Sequence, residues 1–269
     1  MAATNPIGTI ELLRGILTQP MQRPGALLRI AGAIWLVQFP SFLSAEAVLP
    51  TDGLILMGMT PGPLTTAVAV LVALMVYIGT AWAAVGWHRL TIMQEKPGLI
   101  APQPHMGRVL DYFVRGIALS VITWLPILML AGFAAVVLPP GFLLGPRGAV
   151  LIPGAFLAIW LTLRLCPWLV SGAVNDRLSL GESWRTTAPI SKALAGLSVL
   201  GIIAYAIVVG LLTWAGMSVG DDQGYYISDT AMFGMAVLAC AVFFVFFVIC
   251  ISAFNTVYTV ARAAPLPSA

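Results

Sequence analysis

The sequence predicts an all-α polytopic membrane protein, a bundle of six transmembrane helices with short interfacial helices and both termini cytoplasmic. Three observations carry this prediction. Hydrophobic residues make up 60% of the 269 and charged residues 9%, whereas about a quarter of the residues of a soluble domain are charged. A bilayer core of about 30 Å takes about 20 apolar residues in a helix, and six segments meet that length: 26–49, 64–87, 112–138, 149–172, 192–217 and 231–261. Finally, runs such as VLACAVFFVFFVICI are unbroken, where barrel strands would alternate apolar with polar over about ten residues.

Along the chain, NPIGTIELLRGILTQP reads as an interfacial helix over 6–18, with Asn5 as cap, Pro6 at the first helical position and Ile10, Leu13 and Leu17 on one face. The first membrane segment ends in SFLSAEAVLP, where Ala45-Glu46-Ala47 imitates a signal-peptidase site. The basic stretch before it is longer than a secretory leader carries, so no cleavage is expected. In this helix Gln38 and Ser41 flank Pro40, and in the third Thr123 precedes Pro126; these read as kinks with local hydrogen bonds in preference to a substrate site. Gly79 and Ala83 in the second helix permit close helix approach. Between the fourth and fifth helices, SLGESWRTT gives Ser179 and Glu182 the spacing of a capping box. A second interfacial helix follows, anchored by Trp184 and stopped before Pro189, with Glu182 a capping residue and not a catalytic one.

Basic residues set the orientation. Arg14, Arg23 and Arg29 lie before or at the start of the first helix; Arg89, Lys96 and Arg108 in 88–111; Arg177, Arg185 and Lys192 in or beside 173–191; and Arg262 after the sixth helix. These ends are expected in the cytoplasm, and the loops with Asp52, Arg147 and Asp221, Asp222 and Asp229 outside. The net charge of +3 is thus a topology signal and not a nucleic-acid footprint.

Trp87-His88-Arg89, Arg164 with Pro167, and SLGESWRTT resemble a large group of mostly uncharacterised multi-pass proteins common in alphaproteobacteria. That group is similar to the membrane domain attached to some bacterial glycerophosphodiester phosphodiesterases. The resemblance covers roughly residues 64–215. It implies a six-helix bundle in the bacterial inner membrane. Because no soluble catalytic domain is visible in the chain, phosphodiesterase activity is not expected with it.

The residues needed for intramembrane chemistry are sparse. No helix midplane holds paired carboxylates, and the two histidines, His88 and His105, fall at a helix end and in a loop, away from any nucleophile. His88 is expected to bond backbone or water. Cys166, Cys240 and Cys250 sit on helices at spacings that suit packing better than metal binding. No enzyme activity, metal or cofactor is expected.

The charge inside LAIWLTLRLCPWLVSG is Arg164. It lies about 10–12 Å above the cytoplasmic end of its helix at 1.5 Å per residue, and Asn255 lies at the same level in the sixth. Ser252, Asn255, Thr256 and Thr259 form a polar stripe there. Arginine is costly at membrane depth. The preferred reading is therefore a structural cluster in which Arg164 bonds Asn255, Ser252 and Thr256 and reaches toward Glu182. Two others stay open: snorkelling to lipid, and anionic-lipid or phosphate binding by Arg89, Arg164, Arg185 and Lys192. Two function classes follow. The first is a non-catalytic inner-membrane protein, an accessory or assembly subunit partnered by lipids and other subunits. The alternative is a transporter or lipid-handling protein with a polar inter-helix or basic cytoplasmic-side site.

Overall fold

The computed structural model describes residues 7–32, 34–35, 62–98, 102–103, 105–137, 146–219 and 229–263. Among these, every regular element is helical. We label the elements α1 (Thr9–Gln22), α2 (Pro24–Leu27, continued by a π-helical turn Leu28–Gly32), α3 (Pro63–Ile92), α4 (Met106–Val137), α5 (Pro146–Ala173), α6 (Leu180–Thr186), α7 (Ser191–Val219) and α8 (Asp229–Ala263). Among the described residues, five stretches are long and apolar enough to cross a membrane: Thr66–Ile92, Met106–Met129, Ile152–Ala173, Ala188–Leu211 and Cys240–Ala263. They coincide with the second to sixth expected helices. Most of the first, with Gln38, Pro40, Ser41 and Glu46, lies outside the described residues.

α5 is the central helix. It touches α3, α4, α6, α7 and α8, and 56% of its apolar window is buried against 17% for that of α7. One apolar core gathers Leu165, Leu169 and Val170 of α5 with Ala84, Val85 and Trp87 of α3 and Ile251 of α8. A second, on its other side, gathers Leu163 and Cys166 with Leu12 and Ile16 of α1, Leu194 and Leu197 of α7 and Val257 of α8. Both cores sit at the end of the bundle where the arginines collect. Toward the opposite end, Val70, Leu71 and Leu74 of α3, Ile203 and Ile207 of α7 and Phe243 of α8 are exposed.

α1 departs from expectation in two ways. It begins after Gly8, whose N–H donates to the Glu11 carboxylate at 3.1 Å, three residues beyond the cap read at Asn5. Its buried residues are Leu12 and Ile16, while Ile10 and Leu17 are exposed. The cause is tertiary. α1 packs onto α7 and α8, with Gly15 so close to Thr256 that a Cβ there would stand 3.0 Å from its Cγ2, and this contact selects the face that turns inward.

Candidate functional site

The polar chemistry is concentrated at the arginine-rich end, and it is organised by backbone carbonyls. A helix leaves its last carbonyls without an internal partner, and cations are favoured there. Arg23 Nη1 donates to Leu90 O near the end of α3 at 3.2 Å. Arg89 Nη1 donates to Ala173 O, the last residue of α5, at 3.1 Å. Arg115 Nη1 donates to Trp168 O at 2.9 Å and to Ser171 Oγ at 3.1 Å. Arg164 Nη2 donates to Trp184 O near the end of α6. Each staples one element to the terminus or kink of another.

Around Arg164 the sequence explains the local geometry. Pro167 has no N–H to return to the preceding turn, which weakens the helix there. Ser183 of α6 enters the gap, its hydroxyl accepting from Trp168 N–H at 3.2 Å and donating to Arg164 O at 3.1 Å. α6 is held in register by its capping box, Ser179 Oγ accepting from Glu182 N–H at 3.2 Å and the Glu182 carboxylate accepting from Ser179 N–H at 2.7 Å. The bonds from the Ser179 backbone and side chain, with the nearby Arg185 and Arg262 charges, hold the Glu182 carboxyl below its ordinary range. The Arg164 guanidinium lies 3.6 Å from the Trp184 ring centroid and 5.4 Å from that of Trp160, with Nε donating to Thr187 Oγ1 at 3.3 Å. The residue is 6% exposed.

The cluster read from the sequence is therefore corrected. Arg164 points into the protein but bonds neither Asn255 nor Glu182. Glu182 is turned back on its own helix start, and Asn255 faces α3. There the Asn255 Oδ1 meets His88 Nδ1, the His88 Nε2 lies 3.1 Å from Tyr112 Oη, and Asn255 Nδ2 donates to Thr91 Oγ1 at 2.6 Å. The contact with Oδ1 requires Nδ1–H as its donor, and a neutral imidazole then completes the chain by accepting from Tyr112 O–H at Nε2. His88, expected at an interface with backbone or water, is 0% exposed. Of the stripe's hydroxyls, Thr256 Oγ1 donates to Ser252 O at 2.9 Å and Thr259 Oγ1 to Asn255 O at 2.8 Å, whereas Ser252 Oγ is buried without a hydrogen-bond partner among the described residues, and neither Ser252 nor Thr256 bonds Arg164.

The expected anionic-lipid contacts also divide. Arg89 is buried, its Nε 2.7 Å from Glu95 Oε2, and Glu95 Oε1 meets His105 Nε2. Burial pushes the Glu95 carboxyl upward, but the bonds from His105 and Arg89 outweigh it and hold the group below its ordinary range. Arg164 is committed as described, Lys192 is exposed at the start of α7, and Arg185 lines a cleft. That cleft, of about 530 Å³, is bounded by Asp176, Arg177, Leu178, Glu182, Arg185, Thr186, Ala261 and Arg262. It forms where α5 ends in a left-handed Asn175, φ 62°, with Asp176 N–H returning to Ser171 O at 3.1 Å. Asp176 Oδ2 then accepts from Tyr258 O–H at 2.7 Å and from Arg262 Nη2 at 2.9 Å.

Sequence reasoning missed Arg115, Tyr112, Thr187, Asp176 and Glu95 as site residues. The pairing of Asp111 with Arg115 at four-residue spacing, 3.0 Å apart, was the one legible signal among them. Among the described residues, no group of three His, Cys, Asp or Glu side chains could hold a metal ion. No protein-family model, curated protein or solved structure matches the chain.

Proposed function

We propose that the chain is a non-catalytic integral protein of the bacterial inner membrane, with six spans and cytoplasmic termini, acting as an accessory or assembly subunit of a larger membrane complex. The observation that carries this reading is how the strongest polar groups are used. Arg23, Arg89, Arg115 and Arg164 each donate to a main-chain carbonyl of another element, and His88 is enclosed between Tyr112 and Asn255. These groups fasten the bundle, and what it presents outward is apolar: Val70 and Leu74 on α3, Trp124 and Leu128 on α4, Ile203 and Tyr205 on α7. Such faces suit lipid or the helices of another subunit. The location rests on the resemblance carried by Trp87-His88-Arg89 and SLGESWRTT and on the distribution of basic residues.

Extraction in a mild detergent followed by native mass spectrometry tests the proposal. A stoichiometric second polypeptide is the expected result. A monomer or homodimer with no partner, from membranes where the protein is natively expressed, would overturn it.

A further inference from the structure

We propose that the cleft between the 176–186 segment and the end of α8 binds a phosphate-bearing anion. Three guanidinium groups border it, those of Arg177, Arg185 and Arg262, and they differ from the arginines that staple helix ends. Arg177 and Arg185 are exposed, and among the described residues neither side chain has a hydrogen-bond or ion-pair partner. Arg262 gives Nη2 to Asp176 and, with a guanidinium's five N–H donors, keeps others to offer. The two carboxylates are already engaged. Asp176 accepts from Tyr258 O–H, Arg177 N–H and Arg262, and Glu182 accepts from Ser179 N–H.

The result is a recess with spare cationic donors, its carboxylate oxygens engaged apart from the second oxygen of Glu182. Its buried floor is Leu178 and Ala261, and its size of about 530 Å³ suits a headgroup or small phosphate ester, within the roughly 300–1,000 Å³ usual for ligand sites. A phosphate offers several oxygens to forked guanidinium donors, more than the two of a carboxylate, and so matches three arginines better. Trp184, 40% exposed on the same short helix as Arg185, is a side chain suited to the lipid–water boundary. The inference does not depend on whether a partner subunit exists.

The test uses the full chain in detergent micelles. Native mass spectrometry follows retention of phosphatidylglycerol against phosphatidylcholine, and melting temperature follows addition of inorganic phosphate. Wild type should retain phosphatidylglycerol if the ligand is a lipid, or be stabilised by inorganic phosphate if it is soluble. The Arg177→Gln/Arg185→Gln double variant should bind about twenty-five-fold more weakly, at roughly five-fold for each basic residue. Arg14→Gln/Arg29→Gln, which removes the same charge from exposed positions outside the cleft, should bind as wild type. Should the first double variant unfold, each single variant, expected about five-fold weaker, decides the matter. Equal binding by wild type and the cleft variants, equal loss in Arg14→Gln/Arg29→Gln, or equal retention of the two lipids together with no stabilisation by inorganic phosphate would overturn the proposal.

Discussion

Arg164→Lys separates a protein-gripping arginine from one that snorkels to lipid. Lysine keeps the charge and the long apolar stem, so a side chain whose only task is to reach headgroup phosphates would lose little. In the structure, however, the guanidinium carries out three tasks at once: Nη2 donates to Trp184 O, Nε donates to Thr187 Oγ1 at 3.3 Å, and Cζ lies over the Trp184 ring, 3.6 Å from its centroid. An ammonium can take over the bond to the carbonyl but cannot also supply a planar face and a second donor along its stem. The lost Nε bond is worth about 1 kcal/mol. The stacking is worth about 0.5–1 kcal/mol, toward the lower end of the cation–π range because Trp184 is 40% exposed. Arg164→Lys should therefore cost about 1.5–2 kcal/mol in an equilibrium unfolding titration with SDS in mixed micelles. Combined with Trp184→Leu, it should show a coupling of at least about 0.5 kcal/mol. A cost below about 0.5 kcal/mol, or additive effects of the two substitutions, would refute the clasp.

Other outcomes follow from the same structure. Asn255→Leu strands His88 Nδ1–H and should cost about 1–3 kcal/mol. Adding His88→Phe should recover part of that loss in the same titration; strictly additive losses would argue against the network. Glu95 has its folded-state pKa below the ordinary value of 4.5, so the stability it contributes is fully present above pH 4.5 and is lost as pH falls through the lowered value. Hydrogen-exchange protection across 93–98, corrected for the intrinsic rate at each pH, should fall in that acid window in wild type, whereas Glu95→Gln should show low protection at every pH. Gly86→Ala puts a Cβ 2.6 Å from Pro102 Cβ and 3.2 Å from Ile30 Cγ2. The 94–98 segment should then show faster exchange at neutral pH, with a stability cost of about 1–3 kcal/mol; unchanged exchange would mean that the segment is not held through Gly86.

Some of the site could be read along the chain because its causes are local. The Ser179–Glu182 capping box spans three residues, and the bonds it forms in α6 are those the spacing implies. The stripe Ser252, Asn255, Thr256 and Thr259 likewise lies on one side of α8 by helical period alone. Its partners did not follow. Asn255 and Arg164 share a level, but levels say nothing about rotation: α8 turns Asn255 toward α3, while the weakened turn at Pro167 lets α6 slot Ser183 against the helix and bring Trp184 O to the guanidinium. Arg115 was overlooked for the opposite reason, sitting inside an apolar helix where only its neighbour Asp111 marked it.

By itself the sequence determined that this is a helical, membrane-crossing chain, because hydrocarbon solvation acts on each segment's own apolar length and requires its backbone bonds to close internally. It also determined which end would be basic. Only the tertiary structure decided which carbonyl each arginine caps, that His88 is enclosed between Tyr112 and Asn255, that α1 buries Leu12 and Ile16, and that Arg177, Arg185 and Arg262 gather at one cleft. The physical reason is that helix composition sets how strongly a segment prefers lipid, whereas the direction and partner of a buried polar group depend on helix rotation and kinks, and these are fixed when the helices pack.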